Sequence, residues 1–342
     1  KEFDALKREL YAPEDFQDIK YIKKIQRLSH VFGVIGRGLI LFGSGPISFA
    51  FGILITFCHR ALESLEIGHN VHHGQYDRLT EIPEFHSRNH CWKAPFDEQA
   101  WRRLHNGIHH VHTNVPEVDP DLYHGFMRIS ESTPWSKWHL FQVPIYVLFM
   151  YPRMMYLYNV QLFGFFDNKR AKRLKDGNKG YATYKEENGL EQRKINRVKH
   201  HISRYRVLIK EYFFFPIVAL IMGFSFLRVF VANFIVDIIT NLWMTLCLEV
   251  GHIPKPLQKP RCVDKSGEWY VSQVESSINF KGNWVWSILW GHLNFQIEHH
   301  LFPDLPSRKL RYASKKVRKI CKENQIEYTL DPNWRTSIIT FF

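Results

Sequence analysis

Two long apolar runs limit what this chain can fold into. Val31 to Phe57 carries one charged residue, Arg37, and Tyr212 to Val250 carries three, Arg228, Asp237 and Glu249. A helix needs about 20 residues to cross the hydrocarbon of a bilayer. The second run has about 39 residues, so it reads as two spans that turn near Phe226-Leu-Arg228. The first run holds Gly43-Ser-Gly-Pro46 in its middle, a turn signal, which predicts a helix ending near Phe42 and another starting at Pro46. If the second helix continues to His73 it is roughly 42 Å long at 1.5 Å per residue. Its last turns should then emerge into water.

The chain is 45% hydrophobic and yet carries a net charge of +13, so apolar and basic residues must be segregated. Seven Lys and Arg residues lie in 1–30 and thirteen between Lys169 and Arg206, whereas the 43–46 turn has none. Positive loops stay on the cytoplasmic side, so both hairpins should enter and leave from there. A crossing by the aromatic stretch Leu140 to Phe166 would export the basic loop, so that stretch is expected in the interface. The basic helix expected after Pro306 should lie on anionic headgroups or pack on the cytoplasmic lobe rather than bind nucleic acid. The five cysteines show no Cys-x-x-Cys spacing and no disulfide framework. The chain opens at Lys1, which leaves room for a further N-terminal segment, and no cleavable signal is visible.

Histidines gather at the ends of these runs. They form His69-Asn-Val-His72-His73, His105-Asn-Gly-Ile-His109-His110 and Gln296-Ile-Glu298-His299-His300, with His252 alone at the end of the second run. On a helix His69 and His73 share a face, as do His105 and His109. An adjacent pair such as His109-His110 diverges by about 100°, so it can offer one ring to each of two ions. The pattern predicts a two-metal site built from His69, His73, His105, His109, His110, His252, His299 and His300. His200-His201, among Lys and Arg, reads as a solvated pair. Two cations held by neutral rings call for carboxylates behind them. Glu66, Asp77, Asp119, Asp121, Glu249 and Glu298 are the candidates, with Glu249 favoured because it precedes His252 by three residues.

Imidazole suits iron, zinc and copper alike. Zinc would imply hydrolysis with a general base such as Glu298 or Glu249. A metal site where membrane helices emerge can instead reach a lipid chain. Unactivated methylenes yield to metal-activated oxygen rather than to acid–base catalysis, which puts oxidation ahead. No His-Glu-x-x-His occurs.

The histidine set resembles the three histidine boxes of the membrane fatty acid desaturases. So do Thr113-Asn114-Val-Pro-Glu-Val-Asp119-Pro-Asp121 after the second box and Leu301-Phe-Pro-Asp-Leu-Pro306 after the third. The likeness runs from about residue 60 to 325. It implies an all-α, four-span membrane bundle with a cytoplasmic cap. It also implies two irons (zinc being possible in a purified sample), dioxygen as co-substrate, and a cis double bond placed in an acyl-CoA or acyl-lipid chain. His252 resembles the family's additional histidine at the end of the fourth span. The cytochrome b5 motif His-Pro-Gly-Gly is absent from the sequence, so electrons are expected from a separate carrier such as ferredoxin or cytochrome b5 with its reductase. A hydroxylase of the same family is the nearest alternative, and a non-enzymatic metal-binding membrane protein a distant one.

Three histidines depart from the family pattern. His72 stands inside the first box, where either it or His73 can bind, with His73 expected. His112 stands where an aromatic residue is common and can reach the site from the turn after His109, and His292, a further candidate for the metal or its surroundings, stands where glycine is common. His292 is placed by sequence on one helical stripe with Gln296 and His299, about 10 Å along the axis from the latter. Gln296 is a weak neutral ligand, and its presence does not decide the position of the double bond. The expected segments are 1–30 (N-terminal, interfacial), 31–73 and 207–252 (membrane hairpins), 74–139 (second box), 140–166 (interfacial helix), 167–206 (basic loop) and 253–342 (cap).

Overall fold

The computed structural model describes residues 1–11, 16–94, 98–115, 118, 119, 121, 128, 134–145, 148, 207–252, 255 and 267–332. Within them the protein is mainly helical. Helix α1, Glu2–Leu10, precedes α2, Phe16–Phe42. Helix α3, Gly45–Ala61, runs on as a π-helix, Leu62–His69, and a last turn, Asn70–His72. The break between α2 and α3 falls where expected, with Gly45 at φ 79° and Pro46 in the first turn of α3. A second π-helix, Arg102–His109, follows the turn Glu98–Trp101.

The second apolar run folds as a π segment, Lys210–Phe214, then α4, Phe215–Ile221, and α5, Phe226–Glu249. Its turn falls at Met222–Ser225, ahead of the expected Phe226-Leu-Arg228. Gly223 supplies the left-handed residue at φ 81°, and the Ser225 side chain caps α5 by accepting from the Arg228 amide. Arg228 donates to the carbonyls of Ile40 at 2.7 Å and Gly43 at 2.8 Å, so it satisfies the open C-terminal end of α2. Arg37 and Asp237, within the runs, are paired too. Glu211 meets Arg37 at 2.9 Å and Arg60 at 3.2 Å, and Arg60 also meets Asp237 at 3.2 Å.

Among the described residues, two helices, Gly45–His72 and Phe226–Glu249, are long and apolar enough to cross a membrane. Their neighbourhood exposes large apolar side chains, among them Ile47, Phe51, Leu220, Ile221 and Leu227, a surface that water disfavours. The expected interfacial helix, 140–166, is described only at 140–145 and 148, where Leu140 and Leu148 are exposed. The rest of it, the basic loop at 167–206 and His200-His201 lie outside the described residues.

The C-terminal part contributes α6, Gly267–Glu275, α7, Trp284–Leu289, α8, Gln296–Leu301, and α9, Ser307–Glu323. A short parallel pair, β1 Asn279–Phe280 with β2 Leu330–Asp331, closes it. The basic helix α9 buries Leu310, Ala313, Val317 and Cys321 against α1, α6 and α8, and turns Arg311, Lys315, Arg318, Lys319 and Lys322 outward. Its start is tied to the beginning of α2, where the buried Asp18 receives Arg308 at 2.5 Å. Tyr21, one turn further along α2, reaches Glu66 at 2.7 Å, at the level of the first histidine box. Helix α9 therefore packs on α1, α6, α8 and the start of α2.

Candidate metal centre

The end of the helix that begins at Gly45 does not emerge into water. His69, His72 and His73 are all buried, because the 98–115 and 291–305 segments close over them. Eight imidazoles meet there. One donor nitrogen from each of His69, His73, His105 and His299 lies within 4.8 Å of the others, and the same holds for His109, His252 and His300. His110 belongs to both neighbourhoods, grouping with His105 and His109 on one side and with His299 and His300 on the other. The adjacent rings stand nearly perpendicular, at 85° for His109-His110 and 89° for His299-His300.

In the first box the expected spacing holds: Nε2 of His69 and His73 stand 3.2 Å apart. In the second box the π-helix changes the partner. The His110 amide bonds to the His105 carbonyl five residues back, at 3.0 Å, and the two Nε2 atoms stand 3.3 Å apart. His105 and His109 are stacked face to face instead, 4.8 Å between centroids.

These distances test the fit to a metal. Two nitrogens about 2.1 Å from one cation, at tetrahedral or octahedral angles, stand roughly 3.0–3.4 Å apart. Both Nε2 pairs satisfy that. Among the described residues, Nδ1 of His73 and His110, Nε2 of His300 and both nitrogens of His299 are buried without a hydrogen-bond partner. Native proteins rarely leave such atoms idle. Three of the rings are held neutral: burial, reinforced by the neighbouring imidazoles, keeps His110, His299 and His300 well below the usual range. His109 goes the other way: burial opposes its charge, but Asp119 and Asp121 outweigh burial and push it up to about 9.

The partners behind the rings set their tautomers. Asp119 faces His109 Nδ1 at 2.9 and 3.0 Å, and Asp121 faces His105 Nδ1 at 3.0 Å. Nδ1 of His252 donates to the Ser276 carbonyl at 3.1 Å, and Nδ1 of His300 to Gln273 Oε1 at 3.1 Å. Each bond turns Nε2 toward the centre. A backbone carbonyl thus stands behind His252 at Nδ1, the position expected of Glu249, whose main chain accepts from the His252 amide at 2.9 Å. The Gln296 amide nitrogen sits 2.7 Å from His252 Nε2.

The remaining candidates are placed elsewhere. His72 turns away from the cluster, toward Arg102 at 3.0 Å and the Trp92 ring. His112, half-buried, joins none of the imidazole groups among the described residues. His292 is not on a helical stripe with Gln296, because α8 starts only at Gln296; His292 occupies the preceding turn at φ 58° and bonds Glu66 at 2.8 Å. Asp77 binds the Ser87 amide and hydroxyl at 2.6 and 2.7 Å. Glu298 accepts from Asn279 at 2.6 Å and Tyr328 at 2.9 Å, and burial pushes it up to about 7 against those two bonds.

The family model for fatty acid desaturases matches residues 44–332, a stretch that contains every one of these imidazoles. The chain belongs to the fatty acid desaturase family. It is similar to the NADPH-dependent stearoyl-CoA 9-desaturase of Mycobacterium tuberculosis, at 30% identity over 334 residues, 96% of this chain and 74% of that protein. It is also similar to Delta(5) fatty acid desaturase A of Dictyostelium discoideum, at 24% identity over 252 residues, 70% of this chain and 50% of that one. Two participants in this desaturase-family site escape sequence reading. Gln273 and Ser276 sit on and just after a short helix with no histidine near them in sequence, and no local signal marks them. Thr113, which bonds Gln273 at 3.0 Å and His300 at 3.1 Å, lies inside a motif that was visible.

Proposed function

We propose that the chain is an oxygen-dependent acyl desaturase with two irons held by His69, His73, His105, His109, His110, His252, His299 and His300. The observation that carries this reading is the convergence of the eight buried imidazoles into two neighbourhoods that share His110. In this reading 31–73 and 207–252 are two membrane hairpins of a four-span bundle, 74–139 and 253–342 are cytoplasmic, and the centre faces the cytoplasm where the hairpins end.

Bound iron would supply the redox chemistry that removes hydrogen from unactivated methylenes. The reaction balances as –CH2–CH2– plus O2, two electrons and two protons giving –CH=CH– and two waters. The chain's own part is to hold, orient and seal. Asp119 and Asp121 fix the His109 and His105 tautomers and offset cationic charge. Trp101, stacked 4.4 Å from His105, joins Leu65, Leu104, Met244, Cys247 and Leu293 in an apolar wall that excludes water. The stearoyl-CoA relative supports a long-chain saturated acyl-CoA as substrate and NADPH as the source of electrons, delivered by a separate carrier. The Delta(5) relative leaves bond position to be read from the product.

The test is iron content of detergent-purified protein together with the acyl profile of expressing cells. A new cis-unsaturated acyl species and two irons per chain are expected. A hydroxylated product would make it a hydroxylase, and an unchanged profile with one metal or none would overturn the reading.

A further inference from the structure

The four-nitrogen set takes His69 and His73 from the first box and His299 from the third, so the two boxes must be indexed against each other. Ring centroids of His299 lie 5.0 Å from His69 and 4.5 Å from His73. Glu66 stands at this junction. It lies three residues ahead of His69 in the first π-helix and is fully buried. Its Oε1 accepts from the Tyr21 and Ser307 hydroxyls, each at 2.7 Å, and its Oε2 accepts from His292 Nδ1 at 2.8 Å.

His292 precedes helix α8 and Ser307 follows it, so one carboxylate fastens both flanks of the segment that carries His299 and His300. The surrounding bonds run the same way. Asn70 donates to the Gly291 carbonyl at 3.4 Å, and Gln75 accepts from the Ser307 amide at 2.9 Å and donates to the Pro303 carbonyl at 3.3 Å. His292 holds a left-handed backbone, φ 58°, which side chains other than glycine seldom adopt. Such a conformation persists only where the surroundings over-determine it, and Glu66 is the partner that does so.

We propose that Glu66 and His292 are positioning residues of the metal centre: bridging both flanks of α8, they set the distance between the first and third boxes and with it metal affinity. His292 acts through Glu66 and is not itself a ligand. The proposal rests on the metal-binding reading above.

The variants that test it are His292→Gly, which removes the donor and relieves the backbone, and His292→Asn. Asparagine tolerates the left-handed region, and its amide nitrogen takes the place of imidazole Nδ1. Detergent-purified wild type and variants would be loaded with Co(II), titrated with a competing chelator, and followed by visible absorption. His292→Gly should lose 10–100-fold in Co(II) affinity, the usual effect of an outer partner, and shift the ligand-field bands, while His292→Asn restores both. Wild-type affinity and bands in His292→Gly would overturn the proposal. Should His292→Gly fail to fold, Ser307→Ala decides. A tenfold loss of Co(II) affinity there supports the clamp, and wild-type behaviour overturns it. Failure of wild type itself to bind Co(II) would instead overturn the metal-centre reading.

Discussion

Asp119 holds His109 with both carboxylate oxygens, at 2.9 and 3.0 Å from Nδ1, and its Oδ2 also accepts from the Asn114 amide at 2.8 Å. The ring can then present only Nε2 to the centre. Asp119→Asn keeps the shape but sets an amide nitrogen where an acceptor stood. Iron retention or turnover should fall by about 10–100-fold, the effect typical of such partners. Chelator competition and acyl profiling check it, and unchanged values in both would dismiss the orienting role.

His72 and His73 are adjacent in sequence but face different surroundings. His73→Ala should abolish turnover and lower bound iron, whereas His72→Ala should keep its iron, because its ring meets Arg102 and Trp92 rather than the cluster. Metal analysis of the two purified variants separates them. The reverse order would show that the first box binds through His72.

His252 shares its neighbourhood with His109 and His300. His252→Ala should therefore drop the iron content from two per chain toward one and lose product, while His200→Ala and His201→Ala change neither. A His252→Ala protein with two irons and full yield would demote the residue to a helix-end histidine.

Metal should also stabilise the fold. The partnerless Nε2 atoms of His299 and His300 are satisfied when a cation binds, and a ligand at 100 times its Kd adds about 2.7 kcal/mol per site. Chelation should lower Tm, and Fe(II) should restore it. A Tm that stays put while metal analysis shows complete removal would contradict this.

Gly68 packs under the Trp92 indole, and a Cβ there would overlap the ring. Gly68→Ala should destabilise by about 1–3 kcal/mol, the usual penalty of overpacking, and disturb the 3.1 Å bond from Trp92 to the Ser64 carbonyl. Thermal unfolding of the detergent-solubilised protein measures it, and a wild-type Tm would show that the indole can yield.

Much of the centre was legible because its donors are histidines, a residue type whose clustering is conspicuous. His252 could be placed because it ends an apolar run whose length sets its depth. The break at Gly43–Pro46 was readable from residues that cannot continue a helix. What stayed hidden depends on backbone that repeats neither every 3.6 residues nor every two. The π register that pairs His105 with His110, and the left-handed turn that takes His292 off the α8 face, leave no periodic mark. Gln273 and the Ser276 carbonyl were invisible because a neutral amide and a main-chain oxygen look the same wherever they occur.

The two π-helices also bear on chain length. Surface loops absorb insertions and deletions at small entropic cost, whereas Arg102–His109 has slack for a single residue. Losing one residue there, Asn106 or Gly107 for instance, would let the segment relax to an α-helix with its two ends still in orientation. His105 and His110 would then stand four residues apart and share a face. Losing a second residue would rotate everything beyond it by about 100°. His110 would then swing off His105, and Asp119 and Asp121 would lose their rings. Relatives that keep this chemistry should therefore tolerate a one-residue gap in this box and no more, however much their loops differ in size.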